Sequence, residues 1–341
     1  MEPVSRSPLR PAARRGAVHR RAYAKVNLAL EVLGRRDDGY HELRTLFQTV
    51  SLHDDVVLER RPREITVACD HPEVPLDETN LAFRAARDLR RFARIESGVA
   101  ITIRKRIPVA GGLGGGSADA AAVLRGLDRL WKLGLGPPGL HPLARRLGAD
   151  VPYFLMGGTA LGLGRGDETY PLFRQVEGQV VIVDARRPLS TAAVFARLDA
   201  ELTPREETNR IFRFISSDLA GVGKAFPILC NDLERPALEE APDLAAQVGL
   251  IRGILIREGA LMASLSGSGA SYFGLFDDPG RARKAQTRLK TRGFKALRVR
   301  TLSLNQYRRL CAPPAMARAR VRDQGRSGQH GDHGRQGHPR R

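Results

Sequence analysis

Cysteine is scarce in this 341-residue chain: Cys69, Cys230 and Cys311 lie far apart, without metal-ligand spacing. That excludes a disulfide-built scaffold and a cysteine-ligated metal centre, and it suits reduced thiols in a reducing compartment. Aromatic residues make up 6% of the sequence, with a single Trp. None interleaves with the terminal arginines in the way base-stacking nucleic-acid binders require. No apolar stretch approaches the length of a membrane span, and the Arg-rich start lacks the apolar region of a secretory signal. Acidic residues are outnumbered by basic ones, 37 to 56, for a net charge of +19. The excess is uneven. Residues 1–21 and 312–341 carry +5 each, which leaves +9 for residues 22–311.

Two familiar nucleotide signatures are also missing. Gly221-Val-Gly-Lys224 precedes Ala225 where a Walker A loop needs a hydroxyl, and Gly112-Leu-Gly114 lacks the third glycine of a dinucleotide fingerprint. What the chain does have is Pro108-Val109-Ala110-Gly111-Gly112-Leu113-Gly114-Gly115-Gly116-Ser117-Ala118, followed by Asp119 and a run of Ala. Glycine admits positive φ and close approach of a ligand to the backbone. A helix opening directly after such a loop offers unpaired N–H groups and the positive end of its dipole, which suits phosphate.

The remaining pattern predicts a mixed α and β core, 42% hydrophobic, between a disordered basic extension (1–20) and a disordered Arg/Gly/His-rich tail (312–341). Extended segments are expected at 21–32, 55–59, 65–69, 99–105, 179–184, 262–266, 270–276 and 296–301. Helices are expected at 81–95, after an Asn80 cap, and at 118–133, stopped by Gly136-Pro-Pro-Gly139. Further helices fall at 142–147, 191–198, 243–258 and 282–292. A soft boundary lies near 184–191.

Three further segments narrow the chemistry. Lys25 and Asn27 stand two apart in an extended stretch and share a face. Asp150 sits in Gly148-Ala-Asp-Val-Pro152, a rigid place for a carboxylate. Leu265-Ser-Gly-Ser-Gly-Ala270 is a second glycine loop at a strand end.

Together these segments resemble the GHMP kinase superfamily. The order of Ala24-Lys25-Val-Asn27-Leu28, Gly34-Arg-Arg-Asp-Asp-Gly39-Tyr40-His41-Glu42-Leu43, the glycine loop, Leu147-Gly-Ala-Asp150-Val-Pro-Tyr-Phe154 and Leu265–Ala270 is similar to the 4-diphosphocytidyl-2-C-methyl-D-erythritol kinase family. The likeness spans about residues 20–305, and Asp38-Gly-Tyr-His-Glu42 is its most specific part.

The resemblance implies an α+β, two-domain GHMP kinase fold. Residues 21–187 would form an ATP-binding domain like ribosomal protein S5 domain 2, and residues 188–311 a ferredoxin-like domain. It implies transfer of the ATP γ-phosphoryl group to the 2-hydroxyl of 4-CDP-2-C-methyl-D-erythritol in the non-mevalonate (MEP) isoprenoid pathway. Asp150 is the implied base and Lys25 the stabilising cation. Pro108–Ala118 would wrap the triphosphate, with Asn80 and Lys105 near the adenine and Ser117 at Mg2+. Tyr40, His41 and Phe195 would meet the cytidine, Asn27 the diphosphate or erythritol hydroxyls, and Thr191 belongs to the same substrate set. One departure stands out: Ala118 occupies a position where many members carry a second Ser. The expected partner is this small molecule, with no nucleic acid or membrane, in a cytoplasmic monomer or homodimer.

Overall fold

The computed structural model describes residues 16–185, 189–199, 209–217 and 226–312. Residues 1–15 and 313–341 of the expected terminal extensions lie outside the described residues, whereas residues 18–20, expected to be disordered, open the first strand because they pair with the second. Strands β1 (Val18–Arg35) and β2 (His41–Arg61) form a long antiparallel hairpin. Its turn is written in the sequence: Asp38 accepts the Tyr40 amide at 3.1 Å and Gly39 takes φ +82°. The second strand is much longer than the 55–59 segment expected.

Strand β2 also pairs with β4 (Gly98–Arg104) and β5 (Thr159–Leu163), and β6 (Glu168–Pro171) extends the sheet beyond β5. At the other edge β3 (Ile65–Cys69) runs parallel to β4, with α1 (Leu81–Phe92) in the crossover. Helices α2 (Gly115–Leu130), α3 (Gly136–Leu147) and α4 (Val151–Met156) join α1 on this sheet. Leu58, Ile101 and Ile103 meet Ala85, Leu89, Val123 and Leu127 in one apolar cluster. The Gly136-Pro-Pro-Gly139 cluster, expected only to stop a helix, also forms the first turn of α3, where proline's fixed φ suits helix entry.

The second sheet contains β7 (Gln179–Asp184), β8 (Met262–Leu265), β9 (Ser271–Phe276) and β10 (Lys295–Arg300) in the order β10-β7-β9-β8, all antiparallel. Between β7 and β8 run α5 (Thr191–Asp199), α6 (Arg210–Ser216), α7 (Glu234–Glu240) and α8 (Pro242–Arg257); α9 (Pro279–Thr291) joins β9 to β10, and α10 (Leu304–Cys311) follows. This is the βαββαβ ferredoxin-like arrangement. Its first strand is Gln179–Asp184, which the sequence reading placed ahead of the boundary at 187/188. By sheet membership the passage between the sheets lies between Pro171 and Gln179.

Strand β7 shows why the second sheet reads as an unbroken apolar run. Val181 and Val183 face the cluster of α8 and α9, while Val180 and Ile182 meet Val26 and Leu28 of β1. Strand β1 is likewise buried from Ala22 to Val32. Sheets covered on both faces lose the period-two alternation.

Candidate active site

The glycine loop forms one wall of a cavity of about 400 Å3 that Val74, Pro75, Asn80 and Lys105 also line. Helix α2 begins at Gly115, earlier than the expected Ala118, so the last two glycines of the loop are already helical. Gly114 precedes it at φ +69° and gives no side-chain cap. The first N–H groups of the helix are thus left for a ligand, beside the positive end of its dipole. Gly112, at φ +71°, is equally constrained, since a Cβ there would lie 2.0 Å from the Ser266 carbonyl oxygen. The contact is close because the two glycine loops interlock. Ser266 Oγ donates to Gly112 O at 3.0 Å, and the Ser271 amide donates to Gly111 O at 3.1 Å.

Strand β1 delivers the catalytic candidates to this junction. The Lys25 amide donates to Leu113 O at 3.0 Å, which docks β1 onto the loop. Lys25 is 4% exposed; its ammonium donates to Asn27 Oδ1 at 2.5 Å and stands 3.4 Å from Asp150 Oδ2. It also lies 5.5 Å from the centre of the Phe47 ring. Register shifts between Tyr23 and Lys25 and between Asn27 and Ala29 bracket the pair, and such irregularities re-aim side chains. Asn27 is itself held, donating to Thr45 Oγ1 at 2.8 Å. Asp150 precedes α4 and is about a third exposed. Its contact with Lys25 is an ion pair too long for a good hydrogen bond, so the carboxylate keeps lone pairs for other donors.

The structure brings Asn80 and Lys105 to the cavity but commits their polar groups elsewhere. Asn80 Oδ1 accepts the Ala82 amide at 2.8 Å as the cap of α1, while its amide group donates to Pro75 O at 2.6 Å. Lys105 is buried between two carboxylates, donating to Asp54 Oδ2 at 2.5 Å and Asp119 Oδ2 at 2.8 Å. Asp54 Oδ1 also accepts the amides of Arg106 and Ile107 at 2.6 and 2.8 Å, fixing the chain just before Pro108. Lys105 therefore clamps β2, the approach to the loop and the start of α2 together.

Burial pushes the Asp119 carboxyl up to about 7; the Lys105 charge opposes this rise and the Asp54 charge adds to it. Burial also acts to lower the Lys105 ammonium, but the two carboxylates outweigh it and hold the group above its ordinary value. Asp119, in the helix that follows the glycine loop, is this clamp's second anion.

On the other side of Lys25 the second loop leads to the remaining candidates. A Cβ on Gly267 would lie 3.6 Å from Lys25 Nζ, and Ser268 Oγ is 2.8 Å from Thr191 Oγ1 at the start of α5. Asn231 anchors this loop by donating to Leu265 O and Gly267 O at 2.9 and 2.7 Å. One turn along α5, Phe195 stacks on His41, with centroids 4.5 Å apart and planes at 22°. Tyr40 does not join this stack. It is 56% exposed, beneath the Arg165 guanidinium at 4.8 Å.

Ser117 is half-buried in the first turn of α2, where its hydroxyl lines the cavity. Among the described residues no group of three or more His, Cys, Asp or Glu forms a metal cage. The Ser117 hydroxyl is an oxygen donor of the kind Mg2+ accepts when nucleotide phosphates carry most of its ligands, because Mg2+ keeps waters and takes few protein ligands. Sequence reasoning missed Thr45, Asp54, Asn231 and Asp199. An aspartate inside the apolar pattern of β2 was the visible signal for Asp54; the other three make sense only through partners distant in the chain.

Comparison with known proteins agrees with this geometry. Residues 80–158 match the model of the GHMP kinases N-terminal domain, and residues 214–295 that of the GHMP kinases C-terminal region. The chain is 42% identical over 287 residues to 4-diphosphocytidyl-2-C-methyl-D-erythritol kinase of Synechococcus sp. (strain JA-3-3Ab), covering 79% of this chain and 88% of that protein. It is 43% identical over 294 residues to the protein of that name from Kineococcus radiotolerans, covering 84% and 89%. A crystal structure of 4-(cytidine 5'-diphospho)-2C-methyl-D-erythritol kinase superposes with a TM-score of 0.68 at 35% identity, over 83% of this chain and 98% of that one. A mevalonate kinase from L. major, at 17% identity and a TM-score of 0.64, shares the fold. The chain belongs to the 4-diphosphocytidyl-2-C-methyl-D-erythritol kinase family, within the GHMP kinases.

Proposed function

We propose that the protein phosphorylates the 2-hydroxyl of 4-CDP-2-C-methyl-D-erythritol with ATP, giving the 2-phosphate and ADP, in the MEP route to isoprenoid precursors. The observation that carries this reading is the Lys25–Asp150 ion pair, set beside the uncapped start of α2. Phosphoryl transfer asks a protein mainly for positioning and charge stabilisation. Asp150 takes the hydroxyl proton as the substrate oxygen bonds to the γ-phosphorus and the bond to the bridging oxygen of ADP breaks. Lys25, held by Asn27, stands against the Asp150 carboxylate and stabilises the moving phosphoryl group.

Pro108–Ala118 wrap the triphosphate through backbone N–H groups, and the wall of Val74, Pro75 and Asn80 takes the adenine end. Lys105 shapes that wall through its clamp. The Ser117 hydroxyl and water would hold Mg2+, which supplies charge neutralisation on the phosphates. Asn27 and Thr191 lie on the acceptor side, with Tyr40, His41 and Phe195 at the cytidine.

The functional division follows sheet membership, with the acceptor-side helix α5 carried by the ferredoxin-like part. Three free cysteines suit a cytoplasmic enzyme, and the reading requires no more than a monomer or homodimer. A coupled ADP-release assay with the cytidylyl alcohol and with mevalonate tests the proposal. Turnover of the first alone supports it; turnover of mevalonate alone overturns it.

A further inference from the structure

Helix α5 presents Phe195 and Asp199 one turn apart, on a single face. Both close on His41, the first residue of β2. Phe195 covers one face of the imidazole, and Asp199 Oδ1 lies 2.6 Å from Nε2. The ring is 9% exposed, so its orientation is fixed from two sides. Its other nitrogen differs. Nδ1 has no hydrogen-bond partner among the described residues.

A carboxylate only accepts hydrogen bonds, so a neutral imidazole held by Asp199 must carry its proton on Nε2. Nδ1 then presents a lone pair. We propose that Asp199 is a positioning residue for base choice: by fixing the Nε2–H form of His41, it turns Nδ1 into an acceptor that selects a pyrimidine bearing an exocyclic amino group over one bearing a carbonyl. Cytosine offers an N4 amino donor at that edge, which satisfies Nδ1. Uracil offers O4, and two facing lone pairs repel with no proton between them. A buried polar group left unpaired by the wrong ligand is a strong source of discrimination. This inference rests on the proposal that His41 meets the nucleobase of the acceptor substrate, and it names the residue that gives His41 its selectivity.

The test is binding of CMP and UMP, with a saturating non-hydrolysable ATP analogue blocking the nucleotide pocket. It is run on the wild type and on Asp199→Ala, alongside 15N spectra of the histidine ring nitrogens. The wild type is expected to favour CMP by about 10- to 100-fold, the range set by one good polar contact at a base edge. Asp199→Ala is expected to bring the two nucleotides to within about 3-fold of each other, chiefly by losing CMP affinity. The spectra should show His41 as the Nε2–H tautomer in the wild type and as a mixture in the variant.

The outcomes separate two failures. If the wild type shows no CMP preference, the placement of His41 at the base fails. If it does, and a folded Asp199→Ala keeps the same ratio, the role given to Asp199 fails. A wild-type His41 protonated on Nδ1 rather than Nε2 overturns that role without any variant.

Discussion

The Lys25 ammonium stands 3.4 Å from Asp150 Oδ2 while it donates to Asn27 Oδ1 at 2.5 Å, so its closest hydrogen bond goes to the amide and not to the carboxylate. Lys25 is nearly sealed from solvent and Asp150 is about a third exposed. The cation is therefore fixed by its own strand, while the carboxylate stays open to a hydroxyl.

Asp150→Asn keeps the size of the side chain and removes the proposed base. Turnover should fall by about 10²- to 10⁴-fold, the usual worth of a positioned acid–base group. Binding of ATP should change by less than about 3-fold, because the variant leaves the glycine loop intact. Single-turnover rates and nucleotide titration read the two effects separately, and unchanged turnover would remove the base assignment.

Lys25→Ala should lower turnover by about 10²- to 10³-fold, as expected for loss of one charged stabiliser of the transition state. Combined with Asp150→Asn, the loss should be much less than the product of the two, because the residues act as one unit. A full multiplicative loss would show that they act independently.

Two glycines in the same loop should behave oppositely. A Cβ on Gly112 meets the Ser266 carbonyl at 2.0 Å in a positive-φ conformation, whereas one on Gly116 meets only Leu81 Cδ1 at 3.8 Å. Gly112→Ala should cost more than about 2 kcal/mol and abolish nucleotide binding, through strain at a special φ/ψ and a backbone clash. Gly116→Ala should stay within about 0.5 kcal/mol of the wild type in denaturant melts, as most open sites do.

Lys105→Met would leave Asp54 and Asp119 buried without their shared cation. Removing one partner of a buried pair costs about 3–5 kcal/mol, which urea unfolding would detect. The matching stability loss should be smaller in Lys105→Met with Asp119→Asn, because one stranded charge is then gone.

Asp119 should also mark the pH dependence of stability. Its folded value, about 7, lies above the ordinary 3.8, so the folded state holds this proton more tightly than the unfolded chain. Stability from this group is full below pH 4 and declines as pH rises through 4 to 7. Asp119→Asn should lack that decline, so the variant gains on the wild type between pH 4 and 7 in paired urea titrations. A wild-type curve that rises relative to the variant over this window would refute the shift.

The glycine loop and the Lys25–Asn27 spacing were legible in the sequence because each is a local constraint. Positive φ and a two-residue period need no distant partner. Strand β2 was legible only at its far end, since polar residues that pair with other elements broke its alternation. Lys105 was expected near the adenine and does line that cavity, but nothing local reveals that Asp54, 51 residues earlier, holds its ammonium. Asn80 was read both as a cap and as a ligand contact; its Oδ1 serves the cap and its side-chain amide donates to Pro75 O.

By itself, then, the sequence determined the glycine loop, the residue types of the Lys25–Asp150 pair and the family they belong to, because backbone freedom and side-chain chemistry travel with the residues. Only the tertiary structure decided which charges are spent and which are free. Lys105 is consumed by Asp54 and Asp119, Lys25 is left facing Asp150, and His41 is oriented by Asp199. Those outcomes depend on burial and on partners up to 158 residues apart, where loss of water makes each unpaired polar group costly and so fixes its partner.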